Sequence, residues 1–215
     1  MQRVDIKLLI ADDHPLLLEG LKNALQGQGY TQLESVNNGA LALDYIQEEQ
    51  PDVALLDIEM PLLTGFEVIK KCNDLSLSTR FIILTSHKEK GFILKAKKLN
   101  IAGYIIKDEP FIEIDKCIQA VAAGDTYFSA TFDAVFDKQI NPEIQKVKLL
   151  SPSERTILRH IAQGKNSTDI GEMLAISVRT VQKHRANIIA KLELPAGLDS
   201  LSIWTQEHQE LILSL

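Results

Sequence analysis

The adjacent carboxylates Asp12-Asp13, a third at Asp57, the hydroxyl of Thr85 and the ammonium of Lys107 could do chemistry together in this 215-residue chain. Each stands at or just past the end of a short apolar run, where an acid is not expected by default. If those runs are parallel strands, the carboxylates after the first and third converge beyond the carboxyl ends, where open α/β sheets bind ligands. Like charges gathered so closely repel one another, and a hard divalent cation with oxygen ligands relieves them, so Mg2+ is the expected cofactor. With Thr85 and Lys107 around the same pocket, the set suits a phosphoryl group. Asp57 would attack phosphorus, the ion and Lys107 would neutralise the equatorial oxygens, and the hydroxyl would bind one of them. Taken singly, Asp13 could instead cap a helix opening at Pro15, and Asp57 could start a turn toward Pro61. Five polar residues at four strand ends exceed what capping needs.

The elements that must position these residues alternate. Apolar runs over 6–11, 32–36, 52–57, 80–85 and 102–106 read as strands, and amphipathic segments over 15–28, 39–49, 65–75, 89–100 and 111–123 read as helices. Five βα units with right-handed crossovers predict an α/β doubly wound five-stranded parallel sheet of order 2-1-3-4-5, closed as one domain over residues 1–123. Residues 124–147 lose the periodicity and read as a linker, although Tyr127, Phe128, Phe132 and Phe136 predict that part of it packs against a domain. Residues 148–215 read as a small all-α domain. There Ser151 before Pro152, with Glu154 three residues after the cap, opens one helix, Asn166 or Ser167 a second, and Ser177 a third that runs to Leu192.

Composition and charge narrow the function classes. At 45% hydrophobic and 24% charged the chain is ordinarily globular, and its longest apolar runs, such as Phe81-Ile82-Ile83-Leu84, are too short to span a bilayer. Its start, Met1 to Asp5, carries no secretory signal pattern, so no membrane association and a cytoplasmic location are expected. Cys72 and Cys117 lack metal or redox spacing and read as reduced thiols. The net charge of −6 is uneven: residues 1–147 hold 15 Lys/Arg against 22 Asp/Glu, residues 148–215 hold 8 against 7. In the rear part Arg179, Lys183, Arg185 and Lys191 meet no acid until Glu193, which makes a local basic helix available for phosphates.

Residues 5–123 resemble the receiver domain of two-component response regulators. The matching features are Asp12-Asp13, Asp57 with Met60-Pro61 and Gly65 downstream, Thr85-Ser86, and Gly103-Tyr104 leading to Lys107. The resemblance implies that Asp57 accepts phosphate from a sensor histidine kinase and that the acidic pair binds Mg2+. It implies further that the backbone carbonyl of Glu59 completes the ligands and that Thr85 and Tyr104 move together as a switch. One departure is Lys107-Asp108, where many receivers follow the lysine with proline; here proline comes at Pro110.

Residues 150–194 resemble the LuxR-type helix-turn-helix of the NarL/FixJ regulators, through Ser151, Glu154-Arg155, Gly164, Ile170-Gly171, Ile176-Ser177, Thr180-Val181, His184-Arg185 and Lys191-Leu192. Ile170, Leu174, Ile176, Val181, Ile188 and Leu192 would supply its core. On the polar face of the third helix, Gln182, Lys183 and Ala186 have the spacing to enter a major groove, while Thr180, His184 and Arg185 could reach phosphates. The expected partners are a sensor histidine kinase and double-stranded promoter DNA, bound as a homodimer. Pro195 to Ser200 interrupts the approach to a fourth helix, whose apolar side would be Leu198, Leu201, Ile203, Trp204, Leu211 and Leu213.

Two rival functions are weighed against this. A phosphatase of the haloacid dehalogenase type also uses an aspartate with magnesium, but resembles Asp-x-Asp after a first strand; here the acids are adjacent and the expected nucleophile follows the third strand. A receiver whose rear helices dock protein or RNA is the other. Whether phosphorylation would free the rear domain or drive dimerisation stays open at this level.

Overall fold

The computed structural model describes residues 2–195 and 200–214, in two compact units, Met1–Val135 and Phe136–Leu215. In the first, β1 (Lys7–Ala11), β2 (Gln32–Val36), β3 (Val53–Leu56), β4 (Arg80–Thr85) and β5 (Gly103–Ile106) alternate with five helices. These are α1 (Pro15–Gly27), α2 (Gly39–Glu49), α3 (Gly65–Asp74), α4 (Lys90–Lys98) and α5 (Phe111–Ala123). The five strands are parallel in the expected order 2-1-3-4-5, and a sixth, β6 (Tyr127–Phe128), joins the far side of β5. Every residue of β3 and β5 is buried, as is all of β1 after Lys7, because helices cover both faces; hence their unbroken apolar runs.

β6 comes from the stretch read as linker. Two residues are too few to show a strand's alternation, yet Tyr127 N donates to Ala102 O and Ser129 N to Tyr104 O, so the segment satisfies the outer edge of β5. A short helix, α6 (Ala130–Val135), follows and buries Phe132 completely. Elsewhere the unit is pinned by Asp115 on α5, which accepts from Arg3 (2.6 and 3.1 Å), Tyr30 (2.9 Å) and Gln119 (2.9 Å). Burial alone would raise that carboxyl; the three donors outweigh it and hold the pKa below the usual range. Cys72 and Cys117 are free and buried, and burial pushes Cys72 up to about 11, so neither is an activated thiolate.

The second unit is helical. A π-helical turn (Phe136–Ile140) leads into α7 (Asn141–Lys148), then α8 (Pro152–Ala162), α9 (Ser167–Leu174) and α10 (Val178–Lys191). Ser151 and Asn166 form capping boxes with Glu154 and Asp169, and the Ser177 side chain accepts from Thr180 N, which settles the cap of α9 on Asn166. Gly164 takes φ +79° in the turn after α8, a conformation that favours glycine. The core gathers Ile157, Leu158, Ile161, Ile170, Val181, Ile188 and Leu192, with Leu174 and Ile176 only partly buried beside it. The expected fourth helix is two short ones, α11 (Ser200–Glu207) and α12 (Gln209–Ser214). Leu201, Trp204 and Leu211 are buried, whereas Ile203 and Leu213 are exposed and Leu198 lies outside the described residues. No helix among the described residues is long and apolar enough to cross a membrane.

Gly65 opens α3 directly against the strand end that carries Asp57: a Cβ there would sit 2.2 Å from the Asp57 carbonyl oxygen, and its next nearest atoms are backbone too, so no flexible side-chain end is there to yield. Gly65→Ala should therefore destabilise the first unit by about 1–3 kcal/mol through overpacking. Urea unfolding of the full chain measures this; an unchanged midpoint would mean that the Asp57 loop moves freely, contrary to its packing.

Candidate functional site

Strand register creates the acidic site. Ala11 pairs with Leu56, Leu56 with Ile83, and Thr85 with Ile106, so the carboxyl ends of β1, β3, β4 and β5 finish at one edge. The ladder runs one residue further, with Asp57 N donating to Ala11 O and Lys107 N to Thr85 O. Asp12, Asp57 and Thr85 are buried at this edge. Lys107 Nζ lies 2.7 Å from Asp57 Oδ2 and 2.8 Å from Asp12 Oδ2, so one ammonium bridges the two carboxylates. Burial raises the Asp57 pKa against the opposing pull of Lys107, while Lys107 itself is held above its ordinary value because its two carboxylate partners outweigh burial.

Asp13 stands at the same edge, half-buried, and its Oδ1 is shielded from solvent without a hydrogen-bond partner. No capping hydrogen bond from Asp13 to α1 is present among the described residues; the amide of His14, the residue before α1, donates instead to Asp12 Oδ1 (2.9 Å). Asp57 does accept from Ile58 N (2.7 Å), so part of its role as a turn former is real. Sequence reasoning missed His14. Its Nδ1 is 3.0 Å from Asp12 Oδ1 and 3.0 Å from Asp13 Oδ1, and ligand atoms of Asp12, Asp13, His14 and Asp57 all lie within 4.8 Å of one another. That group can hold a metal ion. The signal was present, since His14 directly follows the acidic pair.

The remaining predicted residues form a chain leading away from the pocket. Thr85 Oγ1 accepts from His87 N (3.3 Å), and the Tyr104 hydroxyl donates to His87 O (2.9 Å). The fully buried Tyr104 ring packs at 5.0 Å on Phe132 of α6, which stacks at 4.6 Å on Phe128, with Lys97 over the Phe128 ring. Glu59 is exposed, its side chain 3.2 Å from His87 Nε2.

On α10 the polar face is divided. Gln182, Lys183 and Ala186 are exposed along one stripe with Arg179, and Asn187, which sequence reasoning overlooked, is exposed one turn beyond Lys183. Thr180, His184 and Arg185 are half-buried at its flank, where burial lowers the Arg185 pKa and leaves His184 Nδ1 without a hydrogen bond. Lys191 drops out of the basic set: its Nζ is 2.7 Å from Glu154 Oε2, a buried carboxylate that also closes the capping box of α8.

Known proteins divide in the same way. The response regulator receiver domain matches residues 8–119, and the bacterial regulatory proteins of the luxR family match residues 148–199. The transcriptional regulatory protein MctR of Rhizobium johnstonii is 34% identical over 203 residues, 92% of each chain. The chain belongs to the response regulators. Like its relatives, this response regulator joins a receiver domain to a LuxR-family DNA-binding domain, and it controls transcription rather than acting as an enzyme. The receiver domain of a NarL response regulator from Mycobacterium tuberculosis is 35% identical, with TM-score 0.52, over 55% of this chain and 97% of its own. RcsB of Salmonella typhimurium, studied for its DNA interaction, shares the fold (TM-score 0.65, 22% identity, 93% of this chain and 98% of its own). So does RcsB in a structure of two dimers bound to two parallel DNAs (TM-score 0.60, 22% identity, 94% and 98%).

In the response regulator, Lys107→Ala would leave the Asp57 and Asp12 carboxylates buried without their shared cation. The chain should lose about 3–5 kcal/mol near neutral pH. The Asp57 pKa should rise further, because burial and the Asp12 charge remain while the lowering partner is gone. An acid whose folded pKa is raised favours the fold below its unfolded pKa, and that advantage is lost as pH rises through the folded pKa. Stability of the variant should thus fall with pH over a wider interval than in wild type. Denaturation across a pH series checks this, and parallel curves would refute the bridging role.

Proposed function

We propose that Asp57 accepts a phosphoryl group from a sensor histidine kinase and that the modified receiver, residues 1–123, governs promoter binding by residues 148–215 through the connecting segment 124–147. The observation that carries this reading is the buried contact of Lys107 with both Asp57 and Asp12 at the carboxyl edge of the sheet. An Asp57 carboxylate oxygen forms the new O–P bond as the P–N bond to the kinase histidine breaks. Lys107 already stands on Asp57 and can follow the charge onto the phosphoryl oxygens. Asp12, Asp13, Asp57 and the backbone carbonyl of Glu59 would hold Mg2+, which when bound supplies charge neutralisation at the phosphoryl group. The orphaned Asp13 Oδ1 and the close carboxylates suit such an ion. Thr85 Oγ1 donates to a phosphoryl oxygen. In turning it gives up the His87 amide, so the His87 carbonyl and the Tyr104 hydroxyl bound to it shift together, and Phe132 of α6 feels the motion. The regulator acts in the cytoplasm, where kinase and chromosome are both within reach.

Asp57→Asn should abolish the acid-labile adduct that a small-molecule phosphodonor forms with Mg2+. Intact-mass spectrometry reads it directly, and an undiminished adduct in the variant would move the acceptor elsewhere.

For DNA, two copies bind a two-part site, because one helix of this length touches too few base pairs to select a promoter among competing sites. Exposure favours Gln182, Lys183 and Ala186 as the residues that enter the major groove, with Thr180, His184 and Arg185 at the flank toward the phosphates. Lys183→Ala should relax preference at about one position per half-site, by roughly 1–3 kcal/mol, while Arg185→Ala should weaken all sequences alike and lower the salt slope by about one. Selection from random DNA at two salt concentrations separates the cases; exchanged phenotypes would reverse the two faces.

A further inference from the structure

The pocket that we read as a dication site offers more than oxygen. His14 Nδ1 lies 3.0 Å from Asp12 Oδ1 and 3.0 Å from Asp13 Oδ1, and hydrogen bonding does not account for both contacts. A neutral imidazole carries at most one proton at that nitrogen. Asp12 Oδ1 is the hydrogen-bonded partner, and Asp13 Oδ1 stays buried and unpartnered although the ring nitrogen is within reach. The separations have a second meaning. Ligand atoms about 2.1 Å from an octahedral ion are about 3.0 Å apart when adjacent and about 4.2 Å apart when opposite. The two 3.0 Å separations match adjacent positions of such a shell, and the ligand atoms of the group that includes Asp57 lie within 4.8 Å of one another, so the group must draw in slightly to close on an ion. The His14 side chain is two-thirds exposed, so a small rotation is enough to point the Nδ1 lone pair at an ion.

We propose that His14 Nδ1 is a direct ligand of the bound dication, so that the pocket prefers a first-row transition dication such as Co2+ over Mg2+ by more than its carboxylates alone would give. This rests on the reading that the Asp12, Asp13 and Asp57 pocket holds a dication, and it adds a nitrogen donor to that set. Imidazole is a good ligand for the later transition ions and a poor one for Mg2+, which keeps oxygen ligands and water. Loss of the ring therefore separates the two ions, whereas loss of a carboxylate weakens both.

The test uses the full chain, titrated calorimetrically with CoCl2 and with MgCl2, and pulsed EPR of the Mn2+-loaded protein to detect a directly bound nitrogen. His14→Ala, at an exposed ring, should weaken Co2+ by roughly tenfold or more and leave Mg2+ within about threefold. The 14N coupling to Mn2+ present in wild type should vanish. Equal weakening of both ions, or a 14N coupling that is absent in wild type or persists in His14→Ala, would overturn the proposal while leaving the carboxylate site intact. Failure of wild type to bind any of the three ions would overturn the dication site itself, and His14 with it.

Discussion

Asp57 and Asp12 are two carboxylates buried at the edge of an apolar sheet, and such a pair is tolerable only with a cation between them. Lys107 is that cation, at 2.7 and 2.8 Å. Isolated, each charge would be several kcal/mol less favourable than in water, and the pair would repel besides. Much of the first unit is arranged so that this contact can exist. Lys107 follows β5, Asp57 follows β3 and Asp12 follows β1, so three strands must end at the same level for one ammonium to reach both acids. Parallel pairing supplies that, since successive crossovers return every strand with its carboxyl end on the same side. The nearly full burial of β1, β3 and β5 then keeps water from screening the pair.

The same constraint explains which small features are rigid. The loop after β3 must return to open α3 without covering Asp57. It does so by bringing Gly65 so close that a methyl group would overlap the Asp57 carbonyl, and by fastening Thr64 to Glu67 in a capping box. A second buried acid in this unit, Asp115, is held differently, by a guanidinium, a phenol and an amide, and its pKa is lowered where that of Asp57 is raised. The contrast is physical. Asp115 has three donors on it and stabilises the joint between the N-terminus and α5; Asp57 shares its one ammonium with Asp12 and has one amide, which leaves it incompletely compensated, as a group poised to take on new chemistry would be.

Most of this was legible in the sequence, because the signals involved are strong. Short apolar runs such as Val53 to Leu56 between Asp52 and Asp57, and caps such as Ser151-Pro152-Ser153-Glu154, fix elements before any tertiary contact is known. What escaped is instructive. β6 is two residues long and exists only because β5 offers it an edge, so no local pattern announces it. The interrupted segment before Ser200 hid the fact that the last apolar residues belong to two helices, in which Ile203 and Leu213 are exposed. Lys191 looked like one of four equivalent basic residues on α10; only the fold brings it to Glu154, 37 positions away. His14 was overlooked for a different reason. Its three carboxylate neighbours already account for a dication site with oxygen ligands alone, so the residue types do not demand a nitrogen donor.

The segment after α5 finally bears on how a local charge can matter far from its origin. A surface tether would leave the receiver indifferent to its output domain, since a flexible chain transmits no torque. Here the tether begins as structure. Ser129 N is bonded to the Tyr104 carbonyl, Phe132 N to Ser129 Oγ, and Phe132 lies fully buried against the Tyr104 ring. Tyr104 is thus held at two points, its hydroxyl by the His87 carbonyl and its ring by Phe132 of α6. Close-packed rings cannot be displaced by degrees, because any rotation of one leaves a void or a clash beside the other. A displaced Tyr104 would therefore need a displaced Phe132, and α6 is the last helix of the first unit, directly before the chain passes into the second.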